Sequence, residues 1–111
     1  MSREISREDK RDAVFKALSD ARRRSILDML KEKGRTTGEI CDRLGALDRC
    51  TVMQHLDVLA RADLIIVKRE GRRRWNYLNP LPIKEIHDRW ISGYARSAVD
   101  LLVRMKNDME E

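Results

Sequence analysis

The chain has 111 residues, which suits one domain with a modest core, and no apolar run approaches the length of a membrane span. Charged residues make up 39% and the net charge is +5, yet 41% of residues are hydrophobic and recur with regular periods, which excludes a disordered chain. The opening stretch MSREISREDKR lacks the apolar core of an export signal, and two cysteines in that context point to free thiols in a reducing cytoplasm.

Ser6, followed by Glu8 and Asp9, reads as a helix start, and Val14, Phe15 and Leu18 form the apolar face of a first helix over about 7–18. Asp20 caps a second helix with the core stripe Ile26, Leu27 and Leu30, ended by Gly34. Its first turn carries Arg22, Arg23 and Arg24, cations that oppose the helix dipole. Either an internal acid or an external phosphate has to offset them. Thr36-Thr37-Gly38-Glu39 fits a capping box, with Thr36 as N-cap and Glu39 reaching back, and opens a short helix through Leu44 stopped at Gly45. Asp48 caps the next helix, where Val52, Leu56 and Leu59 form the buried stripe. Two helices joined by a tight turn containing Gly, over about 36–61, make a helix-turn-helix pattern.

Past Ala62-Asp63 the period changes. LIIVKR is extended, EG is a turn and RRRWNYL is a second strand, giving a β-hairpin over about 64–78 that Asn79-Pro80 closes. Alternation puts Trp75 and Tyr77 on one face and Asn76 and Leu78 on the other. The charge concentrates here: Val67 to Arg74 sets five cations against one acid. A localised basic patch is the footprint of a nucleic-acid binder, although a solvated basic turn looks the same. From Pro82 the helical period returns through Ile83, Ile86, Trp90, Tyr94, Ala98, Leu102, Met105 and Met109. It predicts one helix over about 82–108, near 40 Å long at about 1.5 Å per residue, weakened locally by Gly93. Its stripe is too long for a small domain to cover. A second copy of the chain, meeting Val14, Phe15, Ile86, Trp90, Tyr94, Leu102 and Met105, is the economical cover.

The segments FKALSDARRRSILDML and TTGEICDRLGALDRCTVMQHLDVLARADLIIVKREGRRRWNYLNP resemble the ArsR-type bacterial winged-helix transcriptional regulators, from about residue 13 to residue 80 and more loosely to 105. WISGYARSAVDLLVRM is similar to a metal-free branch of that family. The resemblance implies a mainly α fold with a β-hairpin: a winged helix-turn-helix with a long C-terminal dimerisation helix, in one domain over 1–111. It implies a homodimeric, sequence-specific repressor that binds double-stranded DNA at an inverted repeat, with no cofactor, no membrane and an inducer that stays open.

In that reading Arg49, Thr51, Met53, Gln54 and His55 of the fourth helix face the major groove, where Arg and Gln can pair bidentately with guanine and adenine. Met53 either touches a thymine methyl or shields the groove, and His55 either meets a base or bonds to backbone or phosphate. Lys68, Arg69, Arg72, Arg73 and Arg74 form a wing that reaches phosphates or the minor groove, with Arg72 and Arg73 at its tip. Trp75 or Tyr77 takes the packing role of an aromatic that the family places near position 76, where this chain has Asn. The family's metal ligands are missing. Thr36 and Gly38 stand where one site has thiols, and Pro80, Pro82 and Gly93 stand where another has Asp and His. His87 and Asp88, adjacent on a helix, are expected to point apart. Cys50, in the first turn of the fourth helix, is either an oxidisable thiol at the DNA face or a small filler, and Cys41 reads as an apolar filler. No enzyme motif is present. A winged-helix module that docks an acidic protein, mildly supported by the run Ile65-Ile66-Val67, and a non-specific nucleic-acid binder are the alternatives.

Overall fold

Each of the first two helices begins where a side-chain oxygen can take up a free backbone N–H. Ser6 Oγ accepts from Asp9 N at 3.1 Å and opens α1 (Arg7–Leu18). The Asp20 carboxylate accepts from Arg22 N at 2.8 Å and Arg23 N at 3.4 Å and opens α2 (Ala21–Glu32). The structure, a computed structural model, describes residues 6–91 and 96–109. The chain continues through β1 (Arg35–Thr36), α3 (Thr37–Arg43), α4 (Arg49–Arg61), β2 (Ile65–Glu70), β3 (Arg73–Leu78), α5 (Leu81–Trp90) and α6 (Arg96–Met109).

Two arginines of the triplet are offset neither by an acid nor by a phosphate but by backbone carbonyls. Arg23 Nε donates to Ala17 O at 2.7 Å and its Nη2 to Lys16 O at 3.1 Å, while Arg24 Nη1 donates to Leu18 O at 2.7 Å. These carbonyls lie in the last turn of α1, at its negative end, so the same cations that oppose the dipole of α2 complement that of α1. Arg22 turns back to the Asp20 carboxylate at 3.2 Å and holds that carboxyl well below its usual range.

The core forms where α2, α3 and α4 meet the inner face of the hairpin. Ile26, Ile40, Val52, Leu56, Leu59 and Leu64 are fully shielded, and burying each contributes roughly 1.5–3 kcal/mol. Val14, expected on a dimer surface, is part of this core at 5% exposure. That part of the expectation is corrected: Val14 faces inward from α1, whereas Phe15 beside it is exposed. Helix α4 ends in a two-bond lock. Asp63 N donates to Ala60 O and Leu64 N to Leu59 O, both at 3.0 Å, with Asp63 in the left-handed region at φ 60° and Leu59 packed with Leu64 in the core.

The hairpin is one part of a three-stranded antiparallel sheet ordered β1-β3-β2. Strand β1 was not predicted, because two residues carry no readable period. Its register pairs Arg35 with Asn76 and Thr36 with Trp75, while β2 pairs Val67 with Asn76 and Glu70 with Arg73. The turn is therefore Gly71-Arg72, with Gly71 at φ 60° as a tight two-residue hairpin favours. Glu70 and Arg73 are its closing pair, so of the two arginines expected at the tip only Arg72 is in the turn. Gly34 is required by space: a Cβ there would lie 2.3 Å from the Tyr77 ring.

The single helix expected over 82–108 is not what the structure shows. Helix α5 stops at Trp90, with Ile91 as its C-cap, and α6 begins at Arg96. The apolar period runs across both, but a period marks which face is apolar and not where a helix stops. Gly93 and Tyr94 lie outside the described residues. Helix α5 docks on α1: the Phe15 and Trp90 rings lie 5.9 Å apart, and Arg89 reaches Glu8 at 3.4 Å. From Ala98 to Met109 every residue of α6 except Val99 is exposed. Among the described residues no helix is long and apolar enough to cross a membrane.

Candidate nucleic-acid interface

Helices α3 and α4 meet at a short turn, and Asp48 starts the second of them by accepting from Thr51 N at 2.7 Å. That bond depresses the Asp48 pKa, so the cap stays charged at neutral pH. With Val52, His55, Leu56 and Leu59 buried, the opposite side of α4 is left in solvent. Arg49 and Gln54 are exposed on it, Thr51 and Met53 are half-buried, and Cys50 is exposed beside Arg49.

His55 does not share that face. Its side is buried at 7% exposure, and its Nδ1 lies 3.2 Å from Arg23 Nη1. A guanidinium only donates, so Nδ1 is the acceptor and Nε2 carries the proton; Nε2 is buried without a partner among the described residues. Burial lowers the pKa of His55, and the Arg22 and Arg23 charges add to this against the opposing pull of Asp20. The expectation of His55 at the groove is corrected: the stripe that carries Leu56 also turns His55 inward.

The wing stands beside the start of α4. Lys68, Arg69, Arg72 and Arg73 are exposed, with Lys68 3.4 Å from Glu70. Arg74 differs. It lies on the inner face of β3 with only 11% of its side chain exposed, 3.7 Å from Asp57 Oδ1 and 3.8 Å from Met53 Sδ on α4. Between the start of α3, Arg49 and the wing lies a cleft of about 410 Å³, lined by Arg49, Arg72, Arg73 and Arg74 and by the acids Glu39 and Asp42. The capping-box expectation holds for Thr36 Oγ1, which accepts from Glu39 N at 3.2 Å; the Glu39 carboxylate lies 3.9 Å from Arg35.

Asn76 is completely buried and knits the site together. Its Nδ2 donates to Arg35 O and Thr37 Oγ1, both at 3.2 Å, and approaches Arg74 O at 3.4 Å. Two carbonyls on one side fix which end of the amide carries hydrogens. The side chain thereby ties β1 and the first residue of α3 to the wing strand. The alternation that turns Asn76 inward was legible in the sequence; the carbonyls waiting there were not, because β1 was not. Trp75 and Tyr77 stack on the outer face, centroids 6.4 Å apart, and neither takes an inner packing position.

His87 and Asp88, expected to point apart, approach to 3.6 Å, with Lys84 3.1 Å from the same carboxylate. The three lie exposed along α5. Among the described residues no three His, Cys, Asp or Glu side chains are gathered to hold a metal ion.

This geometry has relatives. A helix-turn-helix domain family model matches residues 18–68. The HTH-type transcriptional regulator YuzN of Bacillus subtilis (strain 168) is 39% identical over 87 residues, covering 73% of this chain and 95% of that protein. The transcriptional repressor SdpR of the same strain is 35% identical over 72 residues, covering 65% of this chain and 79% of that one. A crystal structure of an ArsR family transcriptional regulator superimposes with a TM-score of 0.71 at 21% identity, covering 81% of this chain and 91% of that one, which shows the shared fold. With its helix-turn-helix, its wing and these relatives, the chain belongs to the HTH-type transcriptional regulators and has the fold of an ArsR family regulator.

Proposed function

We propose that the chain is a homodimeric repressor that reads an inverted-repeat operator in double-stranded DNA, inside the cell and without a metal or other cofactor. One observation carries this reading: Arg49 of α4 and Arg72 and Arg73 of the wing line one cleft, with Gln54 exposed on the same helix and Lys68 and Arg69 exposed on the same hairpin. Arg49, Thr51, Met53 and Gln54 read base edges, and the wing cations hold phosphates and set the register. His55 serves this surface from beneath, as a packing residue of α4. Two copies meet through Phe15, Ile86, Trp90, Leu102 and Met105, joined by Tyr94. Ile86 is half-buried against the core, while Trp90, Leu102 and Met105 are about half exposed in the single chain. The repressor sense rests on the likeness to SdpR.

Selection of bound duplexes from random DNA with the purified protein tests this directly. The expected product is a palindromic consensus with half-sites about one helical turn apart, bound with an affinity that falls steeply as salt rises. A flat salt response rules the mechanism out, and equal binding to all duplexes leaves only non-specific association. A second reading has one observation in its favour: Ile66 and Tyr77, a cross-strand pair, leave apolar surface on the outer face of the wing, as a protein-docking module would. If Arg49→Ala combined with Gln54→Ala leaves duplex binding intact, that reading gains.

A further inference from the structure

Three neighbouring arginines of the wing are in different situations. Arg72 and Arg73 are exposed, whereas Arg74 is folded under the hairpin. Its cross-strand neighbour on the inner face is Arg69, a like charge that disfavours the pairing unless something offsets it. Asp57, one turn beyond Met53 on α4, is the offsetting group at 3.7 Å. The backbone of Arg74 is held as well: its carbonyl accepts from Thr37 Oγ1 at 3.5 Å and from Asn76 Nδ2 at 3.4 Å. Arg74 thus has backbone contacts to the start of α3 and side-chain contacts to the middle of α4, one residue inside the pair that closes the turn.

We propose that Arg74 is a positioning residue: with Asp57 and Met53 it clamps the wing to the recognition helix and sets the angle at which Arg72 and Arg73 are presented, and it is not itself a phosphate ligand. This rests on the proposed reading that α4 and the wing grip the same duplex. The clamp assigns a role to Asp57, an acid on the helix that enters the DNA, where a bare carboxylate would repel phosphate. Neutralised by Arg74, it orders the wing instead.

The two roles for Arg74 make opposite predictions for Asp57→Asn. The experiment uses the full chain, duplexes selected by the wild-type protein, fluorescence anisotropy across a salt series, and amide hydrogen exchange over residues 65–78 without DNA. If Arg74 is a clamp, Asp57→Asn weakens duplex binding roughly fivefold although it removes a negative charge, and it speeds exchange in β2 and β3. Adding Arg74→Met, which keeps the apolar stem beside Met53, then costs little more, because the two residues act as a unit. If Arg74 is a phosphate ligand, Asp57→Asn binds as tightly as the wild type or more tightly, and Arg74→Met alone lowers the salt slope by about one; that result overturns the clamp. If no duplex is selected at all, the DNA reading fails separately. The exchange measurement still decides the clamp, which is wrong if Asp57→Asn leaves the hairpin unchanged.

Discussion

The helix-turn-helix body and the carboxy-terminal helices contain the same kinds of apolar residue at the same helical spacing, and the fold treats them in opposite ways. Leu56 of α4 is completely buried, whereas Leu102 of α6 is 58% exposed. In the body, three helices and a sheet converge, so each apolar stripe finds a second layer within the chain. Along α6 the stripe has the same period and no such layer among the described residues, Val99 alone being half-buried. The radius of gyration, 17.2 Å, is well above the value of about 13 Å for a compact chain of this length. Periodicity therefore reports that a face wants covering; it does not report whether the cover belongs to the same molecule.

The comparison breaks first at the body. Leu56→Ala leaves a cavity between α4 and its neighbours and is expected to cost about 2–5 kcal/mol in chemical denaturation. A cost near that of an exposed leucine would mean that the core is not centred on α4. Leu102→Glu combined with Met105→Glu tests the other side. It is expected to leave the far-ultraviolet spectrum of the body intact while sedimentation equilibrium drops from twice the 13.1 kDa chain mass to that mass. A pair-mutant that stays dimeric would remove α6 from the proposed interface.

Smaller effects sharpen the picture of how the body is held. Asn76→Ala deletes the donor to Arg35 O and Thr37 Oγ1 and leaves Thr37 Oγ1 only its bond to Arg74 O, for a loss of about 1–3 kcal/mol in the same denaturation assay. Asp63→Gly relieves a left-handed backbone and is expected to gain about 1 kcal/mol, provided the lock of Leu64 N on Leu59 O is kept. The last prediction concerns pH. The folded pKa of His55 lies below its ordinary value of 6.5, so the unfolded chain takes up the proton first. Stability from this group is complete above pH 6.5 and is lost as the pH falls through the folded pKa. Denaturation midpoints followed from pH 8 downward should show that decline in the wild type and a flatter profile in His55→Gln.

Read from the sequence alone, the caps were the most dependable features. Ser6, Asp20, Thr36 and Asp48 each accept the backbone N–H that their positions require, because capping depends on three neighbouring residues. The buried stripes of α2 and α4 and the two faces of β3 were legible for a similar reason. The misses concern groups that meet from distant parts of the chain. Arg23 and Arg24 settle on carbonyls of α1, and no local pattern distinguishes them from Arg22. Alternation puts Arg74 on the inner face with Asn76 and Leu78, but it does not reveal that Asp57 of α4 lies beside it.

The sequence by itself determined the element types, their caps, the inward faces of α2, α4 and β3, and the concentration of positive charge between α4 and the wing. Each follows from local backbone chemistry or from a period of two or 3.6 residues. Only the tertiary structure decided which arginines remain free for a partner, that Arg23 meets His55 Nδ1, and that Asn76 joins a two-residue strand to the wing. Those outcomes depend on which carbonyls and carboxylates lie within about 3–4 Å once the helices have packed, and sequence distance does not encode that proximity.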